Sequence, residues 1–211
     1  ALDRPGHLGG PAPEEEVTLV VAEAGAHRLP DGTLIQAGTL QTDRMTPQGF
    51  AQVAYAERFA AAPAVLTQVQ TANDPAFVVT RQTGADESGL RLALQEEEAR
   101  LFGTHGTETV GWIAVQAGPG LAVDPSGGAT RFEAGRTGPA VTDGGDRHDF
   151  ARPFAEAPGL AAALSSFADP DPAVPRLTGI DAAGFAIRAQ EEASLDLETA
   201  HAAESVDYLA P

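Results

Sequence analysis

Two His–Glu pairs are the polar groups in this sequence best suited to chemistry. His105 and Glu108 stand just before an alternating apolar stretch, and His201 and Glu204 stand before a second stretch of the same kind. A spacing of three places two side chains on opposite faces of a strand, so each pair converges only if the chain turns before the strand. A converged pair can anchor a loop through backbone hydrogen bonds, or it can bind a ligand or a metal.

Two arginines offer a second kind of chemistry. Arg81 and Arg176 each follow an apolar segment and precede a loop. A guanidinium is a planar fork of donors that suits a carboxylate or two neighbouring hydroxyls. The competing interpretation is a structural ion pair across the sheet, with Glu96–Glu98 in one case and Glu191–Glu192 in the other.

Carboxylates near these groups complete the set of candidates. Carboxylates with backbone carbonyls can hold Ca²⁺, so calcium is the alternative to an organic ligand, and a solvated acidic face is the alternative to both. The candidate ligand-binding residues are Asp74, Arg81, Glu97, Glu98, His105, Glu108, Arg176, Glu192, His201 and Glu204. No residue is assigned a catalytic role, because no Ser-His-Asp order recurs in both repeats and no Gly-rich phosphate loop or His-rich zinc spacing occurs.

These candidates recur because the chain is duplicated. Segments that share Gly, Pro, Arg and Glu positions repeat at an offset of 95, as from Arg81 to Arg176, and after one inserted residue His105 returns as His201. Such self-similarity indicates tandem structural units. We predict repeat 1 over residues 26–118 and repeat 2 over residues 119–211.

The N-terminal residues 1–25 resemble the end of a repeat. Residues 15–25 match residues 108–118 in their Glu, Val, Ala and Gly positions. We predict that they form the closing strand of a preceding unit, with Val17, Leu19 and Val21 facing a core. The alternative is an N-terminal tail that resembles the other segments by chance.

The elements that position the candidates are expected to be strands. Leu90, Leu92 and Leu94 alternate with other residues, and Gly and Pro interrupt the chain at short intervals. Alternation predicts antiparallel strands with one buried and one solvated face. We expect an all-β protein of two antiparallel β-sandwich repeats, with Trp112 and Tyr208 in the cores.

Composition narrows the class of function. The 211 residues include 13 Lys+Arg and 30 Asp+Glu, which gives a net charge of −17. This charge disfavours nucleic acid and anionic membranes as partners, and no apolar run is long enough for a membrane span. The sequence has no Cys, which excludes disulfides and thiol catalysis. All basic residues are Arg, which fits codon bias, and the acidic excess is also tolerated in saline surroundings.

The repeats resemble the H-type lectin domain. The resemblance rests on Phe59-x-x-x-Pro63-x-Val65, on Arg81, on Gly89-Leu90 and on Val110-x-Trp112-Ile113-Ala114. The stretch from His105 to Ala114 is similar to a bacterial branch of that family, which occurs in tandem on large secreted or cell-surface proteins. The resemblance covers about residues 36–117 and 133–211.

This resemblance implies a six-stranded antiparallel sandwich, often trimeric, that binds N-acetylgalactosamine-like sugars between subunits. The binding arginine of the family falls on Arg81 and Arg176. The aromatic-His pair of its sugar site falls near Glu97-Glu98 and Glu192-Ala193, so neither repeat retains it.

We therefore expect a non-catalytic, extracellular or surface-displayed module that binds carbohydrate as a homo-oligomer. A structural spacer in a large surface array and a receptor-binding module of a phage-like fibre are the alternatives. Repeat 1 is expected to be the stronger site, because Ala168 and Ala193 replace Asn73 and Glu98 in repeat 2. Prolines are expected to make residues 169–175 a poorer strand than residues 74–80.

Overall fold

The computed structural model describes residues 17–100 and 102–211 and places fourteen strands in them. Seven strands belong to repeat 1: β1 (Gly25–Arg28), β2 (Leu34–Thr42), β3 (Ala51–Ala54), β4 (Ala64–Val69), β5 (Val78–Thr83), β6 (Gly89–Glu96) and β7 (Glu108–Val115). Seven belong to repeat 2: β8 (Gly118–Val123), β9 (Ala129–Arg136), β10 (Asp146–Asp149), β11 (Ala161–Leu164), β12 (Ala173–Ile180), β13 (Gly184–Glu191) and β14 (Val206–Ala210). The described residues add two short 3₁₀ helices, Thr46–Gln48 and Glu98–Arg100.

Each repeat is built from two antiparallel sheets of the same order. Repeat 1 has the sheets β1-β2-β7-β4 and β3-β6-β5, and repeat 2 has β8-β9-β14-β11 and β10-β13-β12. The all-β fold class is confirmed. The described part of each repeat holds seven strands rather than the six expected, divided four and three.

Strand register confirms that the repeats are equivalent. Arg81 lies opposite Ala93 in repeat 1, and Arg176 lies opposite Arg188 in repeat 2, so the offset of 95 is kept without a gap. The equivalence ends at a bulge in β12 between Leu177 and Gly179. The same chemical groups are therefore presented by the same strands in both halves.

The two cores lie between the paired sheets. Leu90, Leu92 and Leu94 of β6 are fully buried in repeat 1, as their alternation predicts. Trp112 and Tyr208 are 9% and 3% exposed and belong to their cores, as expected. A further apolar cluster lies between the repeats and is formed by Ala64, Val115, Phe132, Ala134 and Leu209.

The expectation of a poor strand before Arg176 was wrong. β12 begins at Ala173 and includes Pro175, which lies opposite Ala189. Pro lacks a backbone donor, but β12 is an edge strand, so the missing N–H faces away from the ladder.

The N-terminal segment takes a different orientation from the one expected. Residues 1–16 of that prediction lie outside the described residues, and residues 17–23 are not in a strand. Val17, Leu19 and Val21 are 68%, 80% and 82% exposed, so they do not enter the core of repeat 1, and their packing against the core of a neighbouring unit stays a prediction. Val20 instead packs against the cluster between the repeats. In residues 17–100 and 102–211, no helix has the length and apolar character needed to cross a bilayer.

Candidate functional site

Each repeat contains a buried histidine held between two glutamates. In repeat 1 the Nδ1 atom of His105 lies 2.7 Å from Oε1 of Glu96, at the end of β6. Its Nε2 atom lies 3.5 Å from Oε1 of Glu108, the first residue of β7. Residues 104–107 are not in a strand, so both groups converge despite their spacing of three. All three side chains are at most 4% exposed.

Glu108 fastens the loop between β4 and β5. It accepts hydrogen bonds from the backbone amides of Asn73 and Asp74, at 2.7 and 3.0 Å, and from the hydroxyl of Thr71. Asp74 in turn accepts from the amide of Gly106 at 3.1 Å. Glu108 and Asp74 thus join two loops of one repeat. This is the loop-anchoring role, one of the two interpretations of the His–Glu pair.

Repeat 2 contains the same arrangement. His201 lies 2.7 Å from Glu191 and 3.5 Å from Glu204, between the same ring nitrogens and carboxylate oxygens as in repeat 1. Glu204 accepts from the amide of Ala168 at 3.1 Å and from the hydroxyl of Ser166. The duplicated His–Glu pairs therefore mark duplicated loop anchors.

The ionisation of these groups follows from opposing effects. Burial disfavours the Glu204 carboxylate, but hydrogen bonds from His201 and Ser166 and the charge of Arg81 outweigh it and lower the pKa of Glu204 to about 2. Burial opposes ionisation of Glu108 as well, yet Thr71 and the loop amides lower its pKa. Burial also works against the charged form of His201, and hydrogen bonds to Glu204 and Glu191 outweigh it and raise its pKa.

Arg81 connects the two repeats. Its Nη2 atom lies 2.7 Å from Oε1 of Glu204, and both side chains are 0% exposed. The guanidinium also lies 5.0 Å from the ring centroid of Phe167 and is 3.4 Å from Oε1 of Gln95. Arg81 is therefore a structural ion pair, but its partner comes from the other repeat and not from Glu96–Glu98 as expected.

Further polar contacts reinforce this junction. Gln95 donates to the carbonyl of Pro170 at 2.8 Å, and the amide of Glu98 donates to Glu192 at 2.7 Å. Ala93 and Gln95 are both 0% exposed, so the outward face of β6 is buried at these two positions, whereas Arg91 on the same face is exposed. This corrects the expectation of one solvated face.

A second charged pair holds the edge of repeat 1. Asp207 is 0% exposed, lies 2.6 Å from Nε of Arg136 and accepts the backbone amide of Val65 at 2.8 Å. Val65 is in β4, an edge strand of repeat 1. The carboxylate therefore satisfies an edge amide of one repeat from inside the sheet of the other.

The two predicted arginines have opposite environments. Arg81 is enclosed, whereas Arg176, at the same register position in repeat 2, is exposed. Arg81 is therefore closed to a sugar in this arrangement, which corrects its assignment as a ligand-binding residue, and the relative strength of the two repeats as ligand sites stays a prediction. Among the remaining predicted acids, Glu97 pairs with Arg100 at 3.3 Å.

A metal has one candidate location in the described residues. Ligand atoms of Asp169, Glu191 and His201 lie within 4.8 Å of one another. Nδ1 of His201 is engaged by Glu191, and Nε2 faces Glu204. Ca²⁺ takes 6–8 oxygen ligands, so this cluster fits a charge network better than it fits calcium.

The residues that sequence reasoning missed are those in which the repeats differ. Phe167 corresponds to Ala72, and Asp207 corresponds to Gly111. Both Phe167 and Asp207 lie at the junction. Their signal in the sequence is the difference between equivalent positions of the two repeats.

Comparison with known proteins gives a sequence similarity to one very long protein. No family model matches the chain, and no solved structure matches it at a significant level. The chain is similar to a segment of halomucin from Haloquadratum walsbyi. The two are 30% identical over 200 residues, which is 94% of this chain and 2% of halomucin. The chain thus spans a very small part of the length of this relative.

Proposed function

We propose that this chain is a non-catalytic structural module of a secreted or cell-surface protein, in which tandem sandwiches are held in a fixed relative orientation. The observation that carries the proposal is the ion pair of Arg81 and Glu204, which joins the repeats and is 0% exposed on both sides. The similarity to halomucin supports a place in a very long protein. The net charge of −17 suits a surface that remains soluble in salt.

The test of this proposal compares two equivalent arginines. Arg81→Ala leaves Glu204 buried without its charged partner, so we expect a loss of about 3–5 kcal/mol in the free energy of unfolding. Arg176→Ala removes an exposed side chain at the same register position, and because contacts of exposed charges are weak we expect a loss of less than about 1 kcal/mol. Urea unfolding followed by circular dichroism measures both. Equal, small losses would show that the junction does not hold the repeats.

Carbohydrate binding is the second candidate, and the exposure of Arg176 favours it. Arg176 lies at the position of the binding arginine in the family that the sequence resembles, and it is accessible. A glycan array with the intact chain tests this function. A sugar that binds the native protein and is lost in Arg176→Ala would support a lectin, while a blank array would leave the structural module as the function.

A further inference from the structure

We propose that the N-terminal segment of residues 17–22, called the strap below, covers the edge of strand β11 and keeps that edge from pairing with a second chain. The strap borders the outer face of the sheet β1-β2-β7-β4 and reaches Ala161 and Ala162 of repeat 2. There the hydroxyl of Thr18 accepts a hydrogen bond from the backbone amide of Leu160 at 3.3 Å. This role goes beyond the proposed function, which concerns the junction between the two repeats.

The equivalent strands β4 and β11 both need a cover. Each is an outer strand of its four-stranded sheet, so one side of its backbone has no neighbouring strand. Neither strand carries a charged residue, in Ala64–Val69 or in Ala161–Leu164. An uncharged edge with open amides and carbonyls is a template for pairing with another chain.

In repeat 1 side chains satisfy the edge of β4. The amide of Val65 donates to Asp207 at 2.8 Å, and the carbonyl of Val65 accepts from Nε2 of Gln82 at 2.6 Å. The carbonyl of Thr67 accepts from the hydroxyl of Thr80 at 3.0 Å. These contacts occupy the polar groups that a further strand would need.

Repeat 2 lacks two of these three side chains. At the offset of 95, Thr80 and Gln82 correspond to Pro175 and Leu177, whose side chains have no hydrogen-bond donor. The equivalent carbonyls of repeat 2 therefore receive no hydrogen bond from these two positions. The edge of β11 depends more on its remaining cover, which is the strap.

The contact of the strap comes from a position equivalent to that of Asp207. Leu160 corresponds to Val65 at the offset of 95. Thr18 and Asp207 both correspond to Gly111 when the N-terminal segment, β7 and β14 are aligned. Each of the two supplies a side-chain oxygen to the equivalent edge amide. The strap therefore does for repeat 2 what β14 does for repeat 1.

Packing holds the strap at this place. A Cβ atom at Gly159 would lie 3.0 Å from both Cγ2 and Oγ1 of Thr18, so the absence of a side chain there lets the strap approach. Val20 packs against the apolar cluster between the repeats. Leu19 and Val21 are exposed, so the role of the strap does not depend on what faces them.

The first experiment locates the strap with a disulfide. The protein has no cysteine, and Cβ of Thr18 lies 3.6 Å from the position of a Cβ atom at Gly159, which is within the range of a disulfide. In the full chain, Thr18→Cys with Gly159→Cys should crosslink within one molecule under mild oxidation. Leu19→Cys with Gly159→Cys is the matched control and should crosslink about tenfold more slowly or less, because Leu19 is 80% exposed. Equal rates for the two pairs overturn the proposal.

The second experiment measures exchange of the edge amides by NMR in the full chain. Thr18→Val keeps the shape of the side chain and removes the acceptor, so we expect the Leu160 amide to exchange about fivefold faster or more. Thr18→Ser keeps the hydroxyl and should retain the native rate. The amide of Val65 donates to Asp207 and should not change in either variant. An unchanged Leu160 rate in Thr18→Val contradicts the proposal.

The third experiment tests whether the strap prevents association. Val20→Asp should release the strap, and its average mass in sedimentation velocity should rise with concentration more steeply than that of the native protein. Addition of the disulfide between positions 18 and 159 should abolish this rise, and reduction should restore it. Ala161→Lys places a charge on the edge strand and should also suppress the rise. Association that persists in both variants, or no association on release, overturns the role of the strap.

These outcomes are separable from the proposed function. A loss of stability in Arg81→Ala together with equal crosslinking of the two cysteine pairs would keep the structural module and remove the strap. A strap that crosslinks and protects Leu160, with no loss in Arg81→Ala, would do the reverse.

Discussion

Arg81 and Glu204 are 123 positions apart in the sequence, yet their side chains meet at 2.7 Å with neither exposed to solvent. Glu204 also anchors the loop of its own repeat through Ser166 and Ala168. One carboxylate therefore serves both the internal structure of repeat 2 and its junction with repeat 1. Substitution of Glu204 should therefore weaken both the loop of repeat 2 and the junction between the repeats.

The ring of Phe167 should contribute to the junction through Arg81. Phe167→Ala removes the contact of the guanidinium with the ring at 5.0 Å and the edge contact with Phe50. We expect a loss of about 2 kcal/mol, and a double-mutant cycle with Arg81→Ala should give a coupling energy of about 0.5–2 kcal/mol. Phe102→Ala is the control, because Phe102 is 88% exposed. A coupling energy of zero would refute a cation–π contribution.

Asp207 should be more important for stability than a surface acid. Asp207→Asn removes the charge that accepts from Arg136, whose side chain is 32% exposed, and we expect a loss of about 1.5–3 kcal/mol, as for a hydrogen bond to a charged group. Asp149→Asn breaks a surface pair with Arg147 in which Asp149 is 75% exposed, so it should cost less than about 1 kcal/mol. Chemical unfolding of the two variants tests the difference, and losses of the same size would contradict it.

The junction should weaken in acid. The pKa of Glu204 is lowered from 4.5 to about 2, so its contribution to stability is complete above pH 4.5 and is lost as the pH falls towards 2. The pKa of His201 is raised above 6.5, so its contribution is complete below 6.5 and is lost as the pH rises through the folded-state pKa. Urea midpoints measured from pH 2 to 9 should therefore fall on both sides of a maximum.

The Glu204→Gln variant is the control for the acid side. It should be less stable than the native protein at neutral pH, because Arg81 loses its charged partner. Its urea midpoint should then fall less steeply between pH 4.5 and 2, because the titrating group is gone. An acid dependence as steep as that of the native protein would mean that other carboxylates dominate.

The two faces of the N-terminal segment should respond differently to charge. Val20→Asp places a carboxylate against the apolar cluster between the repeats, and we expect a loss of about 1–2 kcal/mol. Leu19→Asp changes a side chain that is 80% exposed, and its effect should stay within about 0.5 kcal/mol. Thermal unfolding of both variants measures the difference. Equal losses of stability would show that the segment does not pack as described.

The duplication and the alternation predicted the fold class and the internal equivalence of the repeats, because strand patterning is a local property. They did not predict which surface of a repeat is covered. Gln95 and Gln190 are the same residue at the same position, yet one is buried and the other is exposed. Their environments differ because of the neighbouring repeat, which the local sequence does not encode.

A weaker signal for the interface was present beside these glutamines. Ala93 occupies an outward position of β6 where repeat 2 has Arg188. A small apolar residue at a place where its equivalent is charged indicates a covered surface. The sequence predicts the His–Glu pairs, but the second carboxylate of each histidine is Glu96 or Glu191 and not the next glutamate along the chain.

The two repeats contribute different residues to the junction, so the junction depends on the order of the repeats along the chain. If repeat 2 were placed before repeat 1, Arg176 would meet Glu108 in a site where Ala72 replaces Phe167 and Gly111 replaces Asp207. The ring beside the guanidinium and the acceptor for the edge amide would both be missing. The order of these two units in the gene is therefore part of the information that specifies the structure, and shuffling them would not regenerate the same junction.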